Sequence, residues 1–534
     1  MTYIIWMLCV GGALCADAKA KTAPRLADPA KFPRYKTDGT VPNYTGESLP
    51  NIMIFLVDDM GVMDTSVAML TNGNGNPKRY PLNEYYRTPS MERFAKQGIR
   101  FETFYAQNTC SPSRVSILTG QNASRHRVSS WIKPQERNTG PYDPPEWCYE
   151  GITEDMSIIP KELKAKGYRT IHVGKSHLGP YDSYAENPLN LGYDVNVAGN
   201  AWGAPRSYYA EEHYGLLPIP KANAVIGLEN YHGTDTYLTE ALTLEAIKEV
   251  KLSAAASHPF YLNFAHYAVH GPFKIDPRFA ANYDENEADS RQIFATMIEG
   301  MDKSLGDMLD CFEELGIADN TLIFFLGDNG SDAKITTEEG EDARLVVKTA
   351  APLRGKKSTE FEGGSRVPFI AGWAKPNPKN KWQKKLPIAT GKIQTQLGSI
   401  NDLYPTILEL LDIPVPADHV IDGHSLKKRL AGKYDQSAPE EFLMHFPHRH
   451  RRHYTTTFRD GDWKLLYYYV PEMAKTTGHY ALFNLKEDLS ESNDLSAEFP
   501  EKLSAMVKKM KAELEDDNAL YPVKDGETLK PIVP

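Results

Sequence analysis

Four strand-length segments, three of them largely apolar runs and each stopping abruptly at charged or amide side chains, constrain this chain more than any other feature. Asn51 to Val57 ends in Asp58-Asp59, and Tyr168 to Val173 ends in Gly174-Lys175-Ser176-His177. Phe260 to Ala265 gives way to the stretch His266 through His270, and Thr321 to Leu326 leads into Asp328-Asn329-Gly330. An unbroken apolar run of this length marks a strand buried on both faces, as inside a parallel sheet covered by helices. Amphipathic helical patterns lie between and after them, at about 159–166, 237–250, 291–315 and 399–411. In the third, Ile293, Met297, Met301, Leu305, Met308, Phe312 and Leu315 recur every three to four positions, and Gly316 stops the helix. The alternation predicts an α/β fold: a large mixed, mostly parallel sheet sandwiched by helices. Ligands of such sheets bind beyond the carboxyl ends of the strands, so the four polar strand ends are expected to converge on one site.

After about residue 435 the pattern changes to short strands at 441–444, 453–459, 463–470 and 480–485, closed by a helix at 500–515. This predicts a small C-terminal antiparallel sheet with a helix packed on it. The expected organisation is a large α/β domain at 49–435 and an α+β subdomain at 436–534, with a polar leader at 21–48. Residues 1–20 read as an export signal. Ile4 to Leu14 is apolar but shorter than the ~20 residues a membrane span needs. Ala16-Asp17-Ala18-Lys19-Ala20 then offers Ala-x-Ala cleavage sites. The expectation is an exported protein, periplasmic or secreted, with no membrane span after cleavage; Leu14 makes a poor lipobox residue before Cys15.

The formal net charge of -10 leaves no global basic field to attract nucleic acid. Of five cysteines, Cys9 and Cys15 fall in the signal, leaving Cys110, Cys148 and Cys311. That set is too sparse for a disulfide framework, and a Cys148–Cys311 bridge is the one pairing that spares Cys110.

Asp58, Asp59, Asp328 and Asn329 supply only oxygen ligands, which suit calcium or magnesium and not zinc. In Asn108-Thr109-Cys110-Ser111-Pro112-Ser113-Arg114, the Ser-Pro start and apolar continuation place Cys110 at a helix N-terminus, where partial positive charge favours anions. From the residues alone, Cys110 is either a low-pKa thiol beside Arg114 or a small residue at a helix start.

Cys-x-Pro-Ser-Arg followed by Leu-Thr-Gly resembles the signature of type I sulfatases, in the alkaline phosphatase superfamily. The likeness extends to Pro50-Asn51 through Asp59, to Gly174-Lys-Ser-His-Leu-Gly179 and to Leu326-Gly-Asp-Asn-Gly330. It continues through Leu353 to Pro368, where spacing back from Glu362-Gly-Gly364 assigns sulfate binding to Lys357 and not Lys356. Arg459 to Leu465 and Leu482 to Leu485 resemble the small-domain strands of the family. The resemblance implies that Cys110 is converted to formylglycine by a formylglycine-generating enzyme, and that calcium, with magnesium as the alternative, sits on Asp58, Asp59, Asp328 and Asn329. It implies a geminal diol at 110 with one oxygen on the metal, and Asp328 taking the proton as that oxygen attacks sulfur. Arg114 holds the modified side chain, and Lys175, His270 and Lys357 grip the sulfate. His270 with Lys357 protonates the leaving oxygen, and His177 removes the second diol proton so that sulfate is expelled.

The implied substrate is a sulfated polysaccharide or oligosaccharide, with galactose or N-acetylgalactosamine sulfate favoured. Trp202, Arg206 and Tyr208-Tyr209 are candidates to stack on sugar rings, and the basic segment His445 to His453 is a candidate pocket rim. His266 reads as structural, Glu299 and Asp302 as helix-face and capping charges, and Arg366 and Pro368 as shaping a turn. A phosphate or phosphonate ester hydrolase of the same superfamily would share these motifs, and a non-catalytic sulfated-glycan-binding protein is the alternative of another class.

Overall fold

The computed structural model describes residues 41–73, 75–283, 289–333, 350–450 and 453–534. The export signal and most of the leader expected at 21–48 lie outside the described residues. The main sheet contains β1 (Asn51–Val57), β2 (Ile99–Phe101), β3 (Arg169–Gly174), β4 (Val195–Val197), β5 (Phe260–Ala265), β6 (Thr321–Gly327), β7 (Phe369–Trp373) and β8 (Lys392–Gln394). Their order across the sheet is β4-β3-β5-β1-β6-β7-β2-β8. Only β7 runs against the others, pairing antiparallel with β6 and β2. The four strands with polar ends are therefore immediate neighbours, β3-β5-β1-β6, all parallel.

Successive side chains of a strand point to opposite faces, and β1 shows the consequence. Met53, Phe55 and Val57 enter one apolar layer, while Ile52, Ile54 and Leu56 enter the other. The first layer is completed by the helices Leu238–Ala255 and Asp289–Glu314. The second is completed by Cys110–Thr119 and Leu403–Leu410. Each large apolar side chain so buried contributes roughly 1.5–3 kcal/mol, which makes this sheet a rigid platform for whatever its ends carry. Asp302 acts as a cap, in trans: its carboxylate accepts the Ser90 and Met91 amides at the start of the helix Pro89–Gln97.

The C-terminal sheet is antiparallel in the order β9 (Glu441–Phe446), β10 (Thr455–Asp460), β11 (Trp463–Tyr468), β12 (Tyr480–Asn484), with the helix Pro500–Asp516 packed on it. The 399–411 helix is shorter than its pattern suggests: a 3-10 turn, Ile400–Asp402, precedes Leu403–Leu410. Cys110, Cys148 and Cys311 are all free thiols, so the Cys148–Cys311 pairing is absent. Cys148 Sγ is instead turned to the Gly151 carbonyl, and Cys311 lies within the apolar layer.

Candidate active site

The chain leaves each of the four strands in register, which is what brings the polar ends together. Lys175 N–H donates to Ala265 O, His266 N–H to Leu56 O, and Asp328 N–H to Val57 O. Asp59 and His177 then adopt positive φ angles, 61° and 56°. Such a conformation is uncommon outside glycine, and here it turns both side chains back over the sheet ends.

Asp58, Asp59 and Asp328 form a buried carboxylate cluster whose oxygens could share one ion, and it is the one such cluster among the described residues. Asn329 donates its amide to Asp59 Oδ1 at 2.8 Å and aligns beside it. Asp58 Oδ1, Asp59 Oδ2 and Asn329 Oδ1 are buried with no hydrogen-bond donor. Buried oxygens without donors are costly unless something else satisfies them, so this donor set fits a hard divalent cation. Burial raises the Asp58 carboxyl well above its ordinary value in spite of Lys175, and Asp328 and Asp59 raise it further. For Asp59 and Asp328 burial also pushes upward, but Lys357 and Arg114 respectively prevail and both groups are lowered.

Three cations surround the carboxylates. Lys175 Nζ is 2.7 Å from Asp58 Oδ2, and Lys357 Nζ is 2.5 Å from Asp59 Oδ1. Arg114 binds Asp328 through Nε at 2.9 Å and donates from Nη1 to the Lys175 carbonyl at 2.8 Å. Lys357 is thus the site lysine, while Lys356 is turned away to Asp332. Three cations balance three carboxylates, so a divalent ion would leave the site net positive and ready for an anion.

Cys110 opens the helix Cys110–Thr119, with Thr109 as N-cap residue. Its Sγ is 3.3 Å from His177 Nδ1. His177 Nε2 lies 2.6 Å from the Ile132 carbonyl. A carbonyl only accepts, so Nε2 carries the proton and Nδ1 faces residue 110 as an acceptor. Burial, then Lys175, holds His177 well below its usual value, in the neutral form. His270 Nδ1 donates to the Gly271 carbonyl, leaving Nε2 3.6 Å from Asp59 Oδ2 at the cavity mouth. Burial lowers His270 to about 4.

Cys110, His177, His270 and Lys357 line one cavity of about 210 Å³ together with Trp131, Pro134, Trp202 and His450. A larger cavity of about 590 Å³ lies elsewhere, lined by residues such as Arg125, Asp422, Phe442 and Lys509, and touches none of the strand-end residues. All the residues predicted for the site therefore meet.

The predicted sugar contacts fare differently. Trp202 reaches the cavity, but Tyr208 is fully buried, stacked on Tyr237, with its hydroxyl 2.7 Å from the carbonyls of Tyr267 and His270. It supports His270 and cannot meet a ring. Tyr209 binds the Ile275 carbonyl, and Arg206 is exposed beside Gly215. Of the basic segment, His445 is buried against Thr456 and Leu520, and His448 against Asp143 and Ser129. Only His450 lines the cavity among the described residues; Arg451 and Arg452 lie outside them. Trp131 was not foreseen, because it sits in irregular chain with no periodicity to reveal its direction. His266 binds Ser304 and is structural.

The mixed, mostly parallel sheet with this strand-end site defines an alkaline phosphatase-like α/β protein. A family model, Sulfatase, matches residues 50–413, and a second, N-sulphoglucosamine sulphohydrolase, C-terminal, matches 362–519. The chain belongs to the sulfatase family. It is 32% identical over 387 residues to an N-acetylgalactosamine-6-sulfatase of Mus musculus, across 71% of this chain and 65% of the relative. A sulfatase of Formosa agariphila is 26% identical over 511 residues, across 84% of this chain and 85% of its own. The crystal structure of Ps i-CgsB superposes with a TM-score of 0.68 at 25% identity, covering 88% of this chain and 93% of that one. The chain spans only about 65% of the length of the N-acetylgalactosamine-6-sulfatases it matches.

Proposed function

We propose that this protein is an exported sulfuric ester hydrolase that removes sulfate from a carbohydrate, using a formylglycine made from Cys110. The observation that carries this reading is the position of Cys110. Its side chain lies against a proton-accepting His177 Nδ1, in a cavity shared with Lys357 and His270, beside the carboxylate cluster. Cys110 Sγ marks where the oxygens of the modified side chain would sit. Formylglycine there would supply the attacking oxygen, and a calcium ion, or magnesium, held by Asp58, Asp59, Asp328 and Asn329 would supply Lewis-acid charge.

The chain's own residues divide the remaining work. Arg114, the fifth residue of the helix that Cys110 opens, fixes the Asp328 carboxylate. Lys175 and Lys357 place positive charge where sulfate oxygens gain negative charge in the transition state. Lys357 Nζ carries a proton within the cavity and is the donor to the leaving oxygen, whereas His270, neutral and with its Nδ1 proton held by the Gly271 carbonyl, has no proton on Nε2 to give and is left a binding role beside it. His177 Nδ1 accepts a proton from the side chain at 110.

Galactose or N-acetylgalactosamine sulfate is the favoured unit, a reading supported by the N-acetylgalactosamine-6-sulfatase relatives. Export rests on the apolar run and small residues of 1–20, and maturation requires a formylglycine-generating enzyme as a transient partner. No helix among the described residues is long and apolar enough to cross a membrane. The test is turnover of matched sulfate and phosphate esters by the mature enzyme. Sulfate release that disappears in Cys110→Ala supports the reading; a preference for phosphate by orders of magnitude would assign the site to phosphoester hydrolysis, and binding without turnover would assign it to glycan recognition.

A further inference from the structure

The cavity above Cys110 has two chemically distinct ends. Cys110, His177 and Lys357 are buried at its base, whereas Trp131, Trp202, His270 and His450 are each partly exposed at its mouth. The two tryptophans are held in place by their polar tips. Trp131 Nε1–H donates to His450 Nδ1 at 3.0 Å, and Trp202 Nε1–H donates to the Tyr181 hydroxyl at 2.6 Å. Trp202 is fixed further by its backbone amide, which donates to Asn200 Oδ1 at 2.7 Å. With both indole N–H groups engaged, what each tryptophan offers a ligand is ring surface.

The loop carrying Trp202 is also tied to the base of the cavity. A Cβ on Gly203 would come within 2.3 Å of His177 Cε1, so the loop packs directly on that imidazole. Ring surface and sulfate-facing cations are therefore held at a fixed separation. The volume, about 210 Å³, is below the ~300–1,000 Å³ of clefts that enclose larger ligands. It is room for a sulfate group and one sugar ring, and a polysaccharide threaded through the site would need an open groove.

We infer that Trp131 and Trp202 form an aromatic subsite that seats a single, chain-terminal sulfated pyranose above residue 110, so that the enzyme acts from chain ends. This rests on the reading of the chain as a carbohydrate sulfatase. The galacto-configured ring favoured under the proposed function suits such a surface. Its axial hydroxyl leaves a continuous patch of C–H groups on the opposite face, the surface that an indole ring accepts.

The experiment uses the mature enzyme on sulfated galacto-oligosaccharides of defined length, bearing one sulfate on either the terminal or an internal unit. The terminal sulfate is released and the internal one is not. Trp131→Ala and Trp202→Ala each raise KM about five- to tenfold with kcat little changed, as expected for loss of stacking worth ~1 kcal/mol made equally in ground and transition states. Trp→Phe variants recover part of the loss, and melting curves matching wild type exclude misfolding. Equal release of internal sulfates, or alanine variants with wild-type KM, overturns the inference. A parallel titration follows intrinsic tryptophan fluorescence of the Cys110→Ala protein with the same sugars. Quenching that vanishes in the tryptophan variants supports the subsite even if wild type releases no sulfate, an outcome that would sink the sulfatase reading alone. Absence of quenching while wild type does release sulfate counts against the subsite alone.

Discussion

Replacing Lys464 by Met should destabilise the protein in a way that acid partly repairs. Lys464, on β11 of the small sheet, is buried between two carboxylates, with Nζ 3.0 Å from Glu362 Oε1 and 2.8 Å from Glu491 Oε1. Glu491 also accepts the Glu362 amide at 2.7 Å, and the Tyr105 hydroxyl donates to Glu362 Oε2 at 2.8 Å. At an effective dielectric of about 20, each Lys–Glu contact is worth about 5–6 kcal/mol. Repulsion between the carboxylates and desolvation of the lysine offset much of this. Breaking a buried pair by deleting one partner therefore costs about 3–5 kcal/mol, a fall in melting temperature of about 3–5 °C for a chain of this size. In the native protein burial pushes Glu362 up but Lys464, Arg366 and Arg459 bring it down to about 2, whereas burial raises Glu491 to about 7. Without Lys464 both folded-state values rise. A carboxylate whose folded pKa exceeds its unfolded value costs stability above that folded pKa, and the cost is relieved as pH falls through it. The variant thus binds about one proton more than wild type near neutrality, and its deficit shrinks by up to about 1.4 kcal/mol per pH unit between pH 8 and 6. Thermal melts of both proteins across that range read the effect. A deficit that is small at pH 8, or unchanged at pH 6, would refute the assignment of a buried charge cluster joining the small sheet to the Lys357 segment.

Three further perturbations address the site. Prolonged chelation should remove one divalent ion per chain by elemental analysis and lower the melting temperature, because the orphaned oxygens of Asp58, Asp59 and Asn329 lose their partner; an ion-free protein with unchanged melting would contradict the donor set. Gly203→Ala forces a Cβ into the His177 ring. A shift of about 1 Å there should lower kcat about a hundredfold with the fold intact, and wild-type kcat would show that His177 is not constrained by this loop. His177→Ala should lower kcat by roughly 10²–10⁴ through loss of the proton acceptor at Nδ1, while leaving sugar binding by the Cys110→Ala background unaffected; a loss confined to KM would reassign His177 to binding.

The strand ends were legible in the sequence because strands buried on both faces cannot hide their polarity: a run such as Asn51–Val57 must stop where Asp58 begins. Adjacency of β3, β5, β1 and β6 then brings all the candidate residues together with no further information. Lys357 was separable from Lys356 only through the family spacing, and the structure divides them between Asp59 and Asp332. The sugar-facing surface was poorly legible. Tyr208 and Trp202 lie six residues apart in irregular chain, where no period tells an inward ring from an outward one. The histidines of 445–450 misled for the same reason, since His445 and His448 turn inward to hydrogen-bond partners and only His450 turns to the cavity. The charge cluster around Lys464 was invisible, because its partners lie 102 residues away at Glu362 and nearer at Glu491, with no shared motif.

On the function proposed above, the reactive group at position 110 is an aldehyde-derived side chain held against His177, and not a thiol. Mass spectrometry of the peptide spanning residue 110, taken from protein with measured sulfate release, tests it most directly. Formylglycine at 110 should be present in an amount that tracks specific activity across preparations. Full sulfatase activity in protein whose residue 110 is entirely unmodified cysteine would contradict it.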